Sequence, residues 1–210
     1  MTSFLARMAR LPTVIAAAAT LSACGINNIP TYDEQVRAEA ANLQSAYQRR
    51  ADLIPNLVET VRAAAASERA TLDAVIEARS RATAVQLTPE AINDPQAVAR
   101  FQAAQDQLSS ALSRLLVVTE NYPQLRTNEN FLGLQDQIEG TENQINVARR
   151  DYNEAVRRLN TEMRTFPGSI WASTVHGGVE RATPFQASAA AQQAPRVNFG
   201  PTPGEAAATR

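Results

Sequence analysis

Between Val36 and Leu159 apolar side chains recur in alternating steps of three and four, and nothing in the chain alternates in steps of two as a strand would. The first run takes Val36, Ala40, Leu43 and Tyr47, then Ile54, Leu57, Val61 and Ala64, then Thr71, Val75, Ala78, Ala82 and Val85. A second carries Val98, Phe101, Leu108, Leu112, Leu115 and Val118. The third is the most regular: Phe131, Leu134, Ile138, Thr141, Ile145, Ala148, Tyr152, Ala155 and Leu159, with Met163 and Phe166 adding a turn. Such spacing draws one apolar stripe along a helix, the seam by which helices pack side by side. Aromatic residues are only 5% of the chain while Ala is abundant, as long helices prefer. The predicted fold is all-α, an elongated antiparallel up-and-down helical bundle.

Punctuation in the sequence sets the number of helices. Thr31 and Glu34 have the spacing of a capping box, which would start the first helix at residue 31. Pro55 lies inside the first run, and proline in a helix interior removes a hydrogen bond and costs about 3 kcal/mol. Two readings follow. Asp52 caps a second helix, giving four helices, or one long helix kinks at Pro55, giving three; the unbroken heptad register favours the kink. Thr88-Pro89 and Asp94-Pro95 mark a loop and the next helix start, and Asn121-Tyr122-Pro123 its end. The last helix is predicted from Thr127 or Asn128 to residue 165, about 57 Å long. Beyond Pro167-Gly168 the period dissolves, so residues 168–210 are predicted to form a low-complexity, disordered tail.

The N-terminus is organised differently. Arg7 and Arg10 give a basic leader, Leu11 to Thr20 is apolar and small, and Leu21-Ser22-Ala23-Cys24 follows. The run is too short to span a bilayer but fits the apolar core of a secretory signal peptide. The four-residue box resembles the lipobox of bacterial lipoproteins, which implies cleavage before Cys24 and lipid on its sulfur. Residues 1–23 are then a signal peptide, and 24–30 a tether to a bundle over 31–167. Two or more acyl chains give stable anchoring where one does not. By resemblance to the sorting rule of enterobacterial lipoproteins, Gly25 in place of an aspartate favours the outer membrane over the inner. Cys24 is the sole cysteine, so no internal disulfide can form. The net charge is -1, leaving no basic field for nucleic acid, and all 20 cations are Arg.

A run of motifs carries a specific resemblance. Arg49-Arg50-Ala51-Asp52-Leu53-Ile54-Pro55-Asn56-Leu57-Val58-Glu59-Thr60-Val61 resembles the signature of the LemA family. Glu77-Ala78-Arg79, Glu120-Asn121-Tyr122-Pro123-Gln124-Leu125, Asn128-Glu129-Asn130-Phe131-Leu132-Gly133-Leu134-Gln135 and Thr141-Glu142-Asn143-Gln144-Ile145 follow in family order. Ala148-Arg149-Arg150-Asp151-Tyr152-Asn153 and Phe166-Pro167 complete it, so the resemblance covers residues 31–167. It implies a helical, membrane-attached extracytoplasmic domain without an established enzymatic activity, and one branch of the family is linked to membrane remodelling. Members typically carry an N-terminal transmembrane helix where this chain has its lipobox. The C-terminal segment also departs, being Ala/Gln-rich here.

Catalytic constellations are missing from the sequence. His176 is the only histidine and falls in the predicted tail, and no zinc-protease, serine-hydrolase or phosphate-loop motif occurs. Glu139 and Glu142 sit a turn apart and read as a solvated face with Arg partners such as Arg149. The remaining candidates are the motif residues Arg50, Asp52, Pro55, Asn56, Asn128 and Asn130, placed where helices start, kink or turn. They serve either capping and buried hydrogen bonding at one end of the bundle or a docking surface at that end. The function expected is that of a lipid-anchored, periplasm-facing scaffold or adaptor that binds an envelope protein without catalysis or cofactor. The alternative is a self-assembling, homo-oligomeric envelope or membrane-remodelling factor.

Overall fold

The computed structural model describes residues 25–186; the leader, the lipidation candidate Cys24 and residues 187–210 lie outside the described residues. Regular structure within them is entirely helical. Four long helices, α1 (Asn28–Ala64), α2 (Arg69–Ala84), α3 (Pro95–Thr119) and α5 (Glu129–Glu162), are joined by a 3-10 turn (Ala91–Asn93) and a one-turn α4 (Pro123–Arg126). A seven-residue α6 (Gly168–Thr174) follows. The long helices run up, down, up and down. Side-chain contacts fix that order: Arg79 of α2 reaches Ala51 of α1, Gln105 of α3 reaches Ala82 of α2, and Asn28 of α1 meets Glu162 of α5. α1 and α5 are the most intimate pair, α2 packs with α3, and the backbones of α3 and α5 hardly meet.

The seams face inward as the periodicity demands. Two apolar clusters result. One gathers Ile29, Val36, Leu43, Tyr47, Phe101, Tyr152 and Leu159 toward the N-terminal end of α1. The other gathers Ile54, Leu57, Val61, Leu72, Leu108, Leu115, Phe131 and Ile138 toward the far end. At 37 residues, α1 is about 55 Å long and runs through both.

Several boundaries differ from the sequence reading. The first helix begins at Asn28 rather than Thr31, and Thr31 is no N-cap: its hydroxyl donates to the Asn27 carbonyl inside the first turn. Ile29, assigned to the tether, is fully buried. Asp52 caps nothing, because α1 runs unbroken through Pro55. The break comes instead at Ala65–Glu68, where Ala65 leaves the helical region and the chain reverses. Beyond it Val75, Ala78 and Ala82 are buried as the heptad places them, and only the first position differs, with Leu72 buried instead of Thr71. The predicted tail is also corrected in part. Residues 168–174 form α6, and residues 182–186 pack as an extended strap in the gap between α3 and α5 with Ala182 and Phe185 buried.

Pro55 is tolerated for a reason that lies in another helix. Proline lacks the N–H that would bond the carbonyl four residues back, that of Ala51. Ala51 is buried, and Arg79 Nε of α2 donates to that carbonyl at 2.7 Å. Two motifs quoted separately from the sequence are thus one interaction. Arg79→Ala is expected to cost about 1–3 kcal/mol in urea unfolding, the penalty of an orphaned buried carbonyl. In a Pro55→Ala background the restored N–H satisfies Ala51 internally, so the same Arg79 substitution should cost about 1 kcal/mol less or better. Strictly additive losses in that double-mutant cycle would refute the link.

Candidate functional site

Arg50 sits on the buried seam of α1 between the two apolar clusters, with 1% of its surface exposed. A charge so placed needs close partners, since an unpaired buried ion is strongly unfavourable. One terminal nitrogen donates to Ser109 Oγ of α3 at 2.7 Å and pairs with Glu142 of α5. The other donates to Gln105 Oε1 of α3 at 2.8 Å. Gln105 is buried too, and its amide nitrogen continues to the Ala82 carbonyl of α2 at 3.1 Å. The guanidinium also lies 5.3 Å from the centre of the Tyr47 ring. One side chain therefore ties all four long helices together. Glu142 is not simply part of a solvated face with partners such as Arg149: its ion-pair partner is Arg50, 92 residues away in sequence.

The other candidates do not gather around Arg50. Asp52, Pro55 and Asn56 are exposed on the outer face of α1, where Asp52 accepts from Gln48 at 2.7 Å. Asn128 is an N-cap as expected, its Oδ1 accepting from the backbone N–H groups of Asn130 and Phe131 at 3.0 and 3.1 Å. Asn130 itself is exposed. Glu142, at the level of Arg50, is fourteen residues along α5 from Asn128, about 20 Å, so the motif residues do not share one end of the bundle. His176 is half-buried, its Nε2 2.7 Å from the Ile26 carbonyl. Among the described residues no group of three or more His, Cys, Asp or Glu is placed to hold a metal ion.

Sequence reasoning missed the strap. Asn153 holds Phe185 by both backbone groups, accepting from its N–H at 2.8 Å and donating to its carbonyl at 3.1 Å. Gln102 treats Gln186 the same way, at 3.3 and 2.7 Å, and Arg149 donates to the same Gln186 carbonyl at 3.0 Å. Tyr152 and Asn160 donate to the carbonyls of Thr183 and Ala182. The Phe185 ring meets Tyr152 and Phe101 edge-on and lies under Arg149. Side-chain amides that read backbone leave no periodic trace in the strap. The signal lay on α5, in the polar Tyr152-Asn153 pair.

A mixed cleft of about 530 Å³ lies beside the α3–α5 turn, lined by Leu116, Val117, Glu120, Arg126, Phe131 and Leu132 among others. Val117 is 66% exposed and Leu132 43%. Gln124, in the turn itself, donates to the Ala64 carbonyl at the last residue of α1, so the cleft is at the end opposite Asn28.

Burial shapes the titration of the centre. Tyr47 is pushed up to about 12 by burial, only partly offset by Arg149 and Arg50. Tyr152, also buried, is raised further by desolvation. Asp106 of α3 is raised by partial burial against the pull of Arg149 and Arg50. On the open face of α5, Arg157 and Arg158 hold Glu154 down to about 2. A tyrosine whose folded value lies above its unfolded value contributes stability below the unfolded value and loses it as pH rises through the folded one. Stability should therefore fall between pH 10 and about 12, and with no lysine in the chain nothing else ionises across that window but tyrosine. Tyr47→Phe is expected to remove about 2 kcal/mol of that alkaline loss in denaturant titrations at stepped pH. An unchanged alkaline limb would show that Tyr47 is not the group responsible.

Known proteins are similar to this chain in sequence. The LemA family model matches residues 39–199, extending beyond the motifs to include the strap. Two relatives in Paramagnetospirillum magneticum, Magnetosome protein MamQ 2 and Magnetosome protein MamQ 1, are each 26% identical over 176 residues. Each alignment covers 76% of this chain and 64% of the relative, so the chain spans less than two thirds of their length. The motifs quoted from the sequence now have places: the Arg50 network, the contact of Arg79 with the proline-freed carbonyl, the Asn128 cap and the Asn153 clamp. A family match that takes in these positions and more than half of the chain is decisive, and the protein belongs to the LemA family.

Proposed function

We propose that the protein is a lipid-anchored extracytoplasmic scaffold that holds a protein partner at a distance from a membrane, without catalysis. Lipid on Cys24 would attach the chain just before Gly25, and α1 would carry its far end about 55 Å away. The observation that carries this reading is the cleft at that far end, where Val117 and Leu132 are exposed beside Leu116 and the buried Phe131. Exposed apolar side chains gathered in a concave site with a few charges at its edge are the usual mark of a protein contact. The reading is further supported by how the most unusual charge is used, since Arg50 is committed to internal partners and offers nothing to a substrate. No helix of the described residues is long and apolar enough to cross a membrane, so in this reading attachment falls to the lipid.

Self-assembly is the competing use of the same cleft, and one experiment separates the two. A photo-crosslinking amino acid is placed at Val117 or, as a control, at Asn56, in wild-type and Cys24→Ala cells. The adaptor predicts a single heterologous adduct from position 117 that is lost on Cys24→Ala, together with loss of the protein from the membrane fraction. A ladder of self-adducts would transfer the reading to an assembling envelope factor. Absence of any adduct from well-expressed, membrane-bound protein would contradict both.

A further inference from the structure

We propose that the tip formed by residues 163–175 is a lipid-contacting surface that seats on the bilayer; this rests on the reading that Cys24 carries lipid. Position comes first. Asn28 Nδ2 donates to Glu162 Oε1 at 3.1 Å, and His176 reaches the Ile26 carbonyl, so the segment from 162 to 176 borders the first described residues. Gly25 is the next residue after Cys24. Any bilayer holding Cys24 is thus within reach of this tip and about one α1 length from the cleft at the other end.

Chemistry comes second. Phe166 is 76% exposed, Ile170 47% and Val175 54%, three of the seven large exposed apolar side chains among the described residues, within ten consecutive positions. Half-buried Trp171 lies between them. Residues 163–175 contain no acidic residue and a single cation, exposed Arg164, while residues 25–31 carry no charge at all. The preceding turns of α5 are different, with Glu154, Arg157, Arg158 and Glu162. An apolar tip with one Trp, one exposed Phe and a lone Arg as its single charge has the composition that settles at the boundary between headgroups and acyl chains. Arg164 suits the phosphates of anionic lipid. The occupant assigned is the lipid surface rather than a second copy, because the chain's own attachment point delivers this tip to it.

Two residues in the chain make the test direct. Trp171 is the sole tryptophan and Cys24 the sole cysteine. The chain beginning at Cys24 is coupled through that thiol to a maleimide-headgroup lipid in phosphatidylethanolamine–phosphatidylglycerol vesicles, with or without brominated acyl chains. Coupling fixes attachment whether or not cells lipidate Cys24, a separate question answered by mass spectrometry of the native N-terminal peptide. Trp171 emission should fall about two-fold on brominated vesicles, as expected of a ring near the acyl boundary. Phe166→Ser and Ile170→Ser should each relieve the quenching with helical circular dichroism unchanged, and Leu132→Ser at the opposite end should not. Unquenched emission from coupled, folded wild type, or quenching insensitive to Phe166 and Ile170, would overturn the proposal while leaving lipid attachment standing.

Discussion

Everything in this bundle is arranged around one buried guanidinium. Apolar seams alone specify that helices pack, but they tolerate sliding by a turn because one Leu or Ala resembles the next. Arg50 removes that freedom. Its fork must find Ser109 and Gln105 on α3 and Glu142 on α5 at once, and Gln105 passes the constraint to Ala82 on α2. A planar guanidinium with donors in fixed directions can do this where a lysine could not. Such a group contributes little net stability, yet stripping its partners costs about 3–5 kcal/mol, so its value here is axial register. Its Nε is buried without a partner, a cost the arrangement carries in exchange.

Two further devices extend the order set at Arg50. Above it, Arg79 closes the carbonyl opened by Pro55, so the second helix is pinned to the first one turn from the centre. Below it, the strap fills the gap that α3 and α5 leave, with Asn153 and Gln102 gripping its backbone and Phe185 completing the aromatic cluster of Tyr47, Phe101 and Tyr152. Long helices locked at the middle and strapped along one side make a stiff post. Its two ends then differ in kind. One has an apolar tip beside the first described residues, the other a mixed cleft flanked by Glu120 and Arg126.

Much of this is legible in the sequence. The three-and-four steps predict the helices, and Asp94-Pro95 and Asn128 are the caps they look like. What escaped did so for physical reasons. The unbroken register favours a helix that continues through Pro55 but does not show how it is tolerated, because the compensating donor, Arg79, sits 28 residues after the Ala51 carbonyl it satisfies. The true reversal at Ala65–Glu68 contains neither Gly nor Pro, and Ala63 to Ala66 reads as continuing helix. The partners of Arg50 are ordinary polar residues until the helices align. Residues 168–186 show no period because α6 is under two turns long and the strap is held by other residues' side chains.

The claim that Arg50 sets the register of all four long helices is tested most directly by native-state hydrogen exchange on wild type and Arg50→Met. Methionine fills the space but leaves Glu142 and Gln105 without their donor. Amides around Ala82, Gln105 and Glu142 should lose protection together with those around Arg50, by about ten-fold or more, because the network opens as one unit. Loss confined to α1, with α2, α3 and α5 as protected as in wild type, would contradict the account and leave Arg50 as a local feature of its own helix.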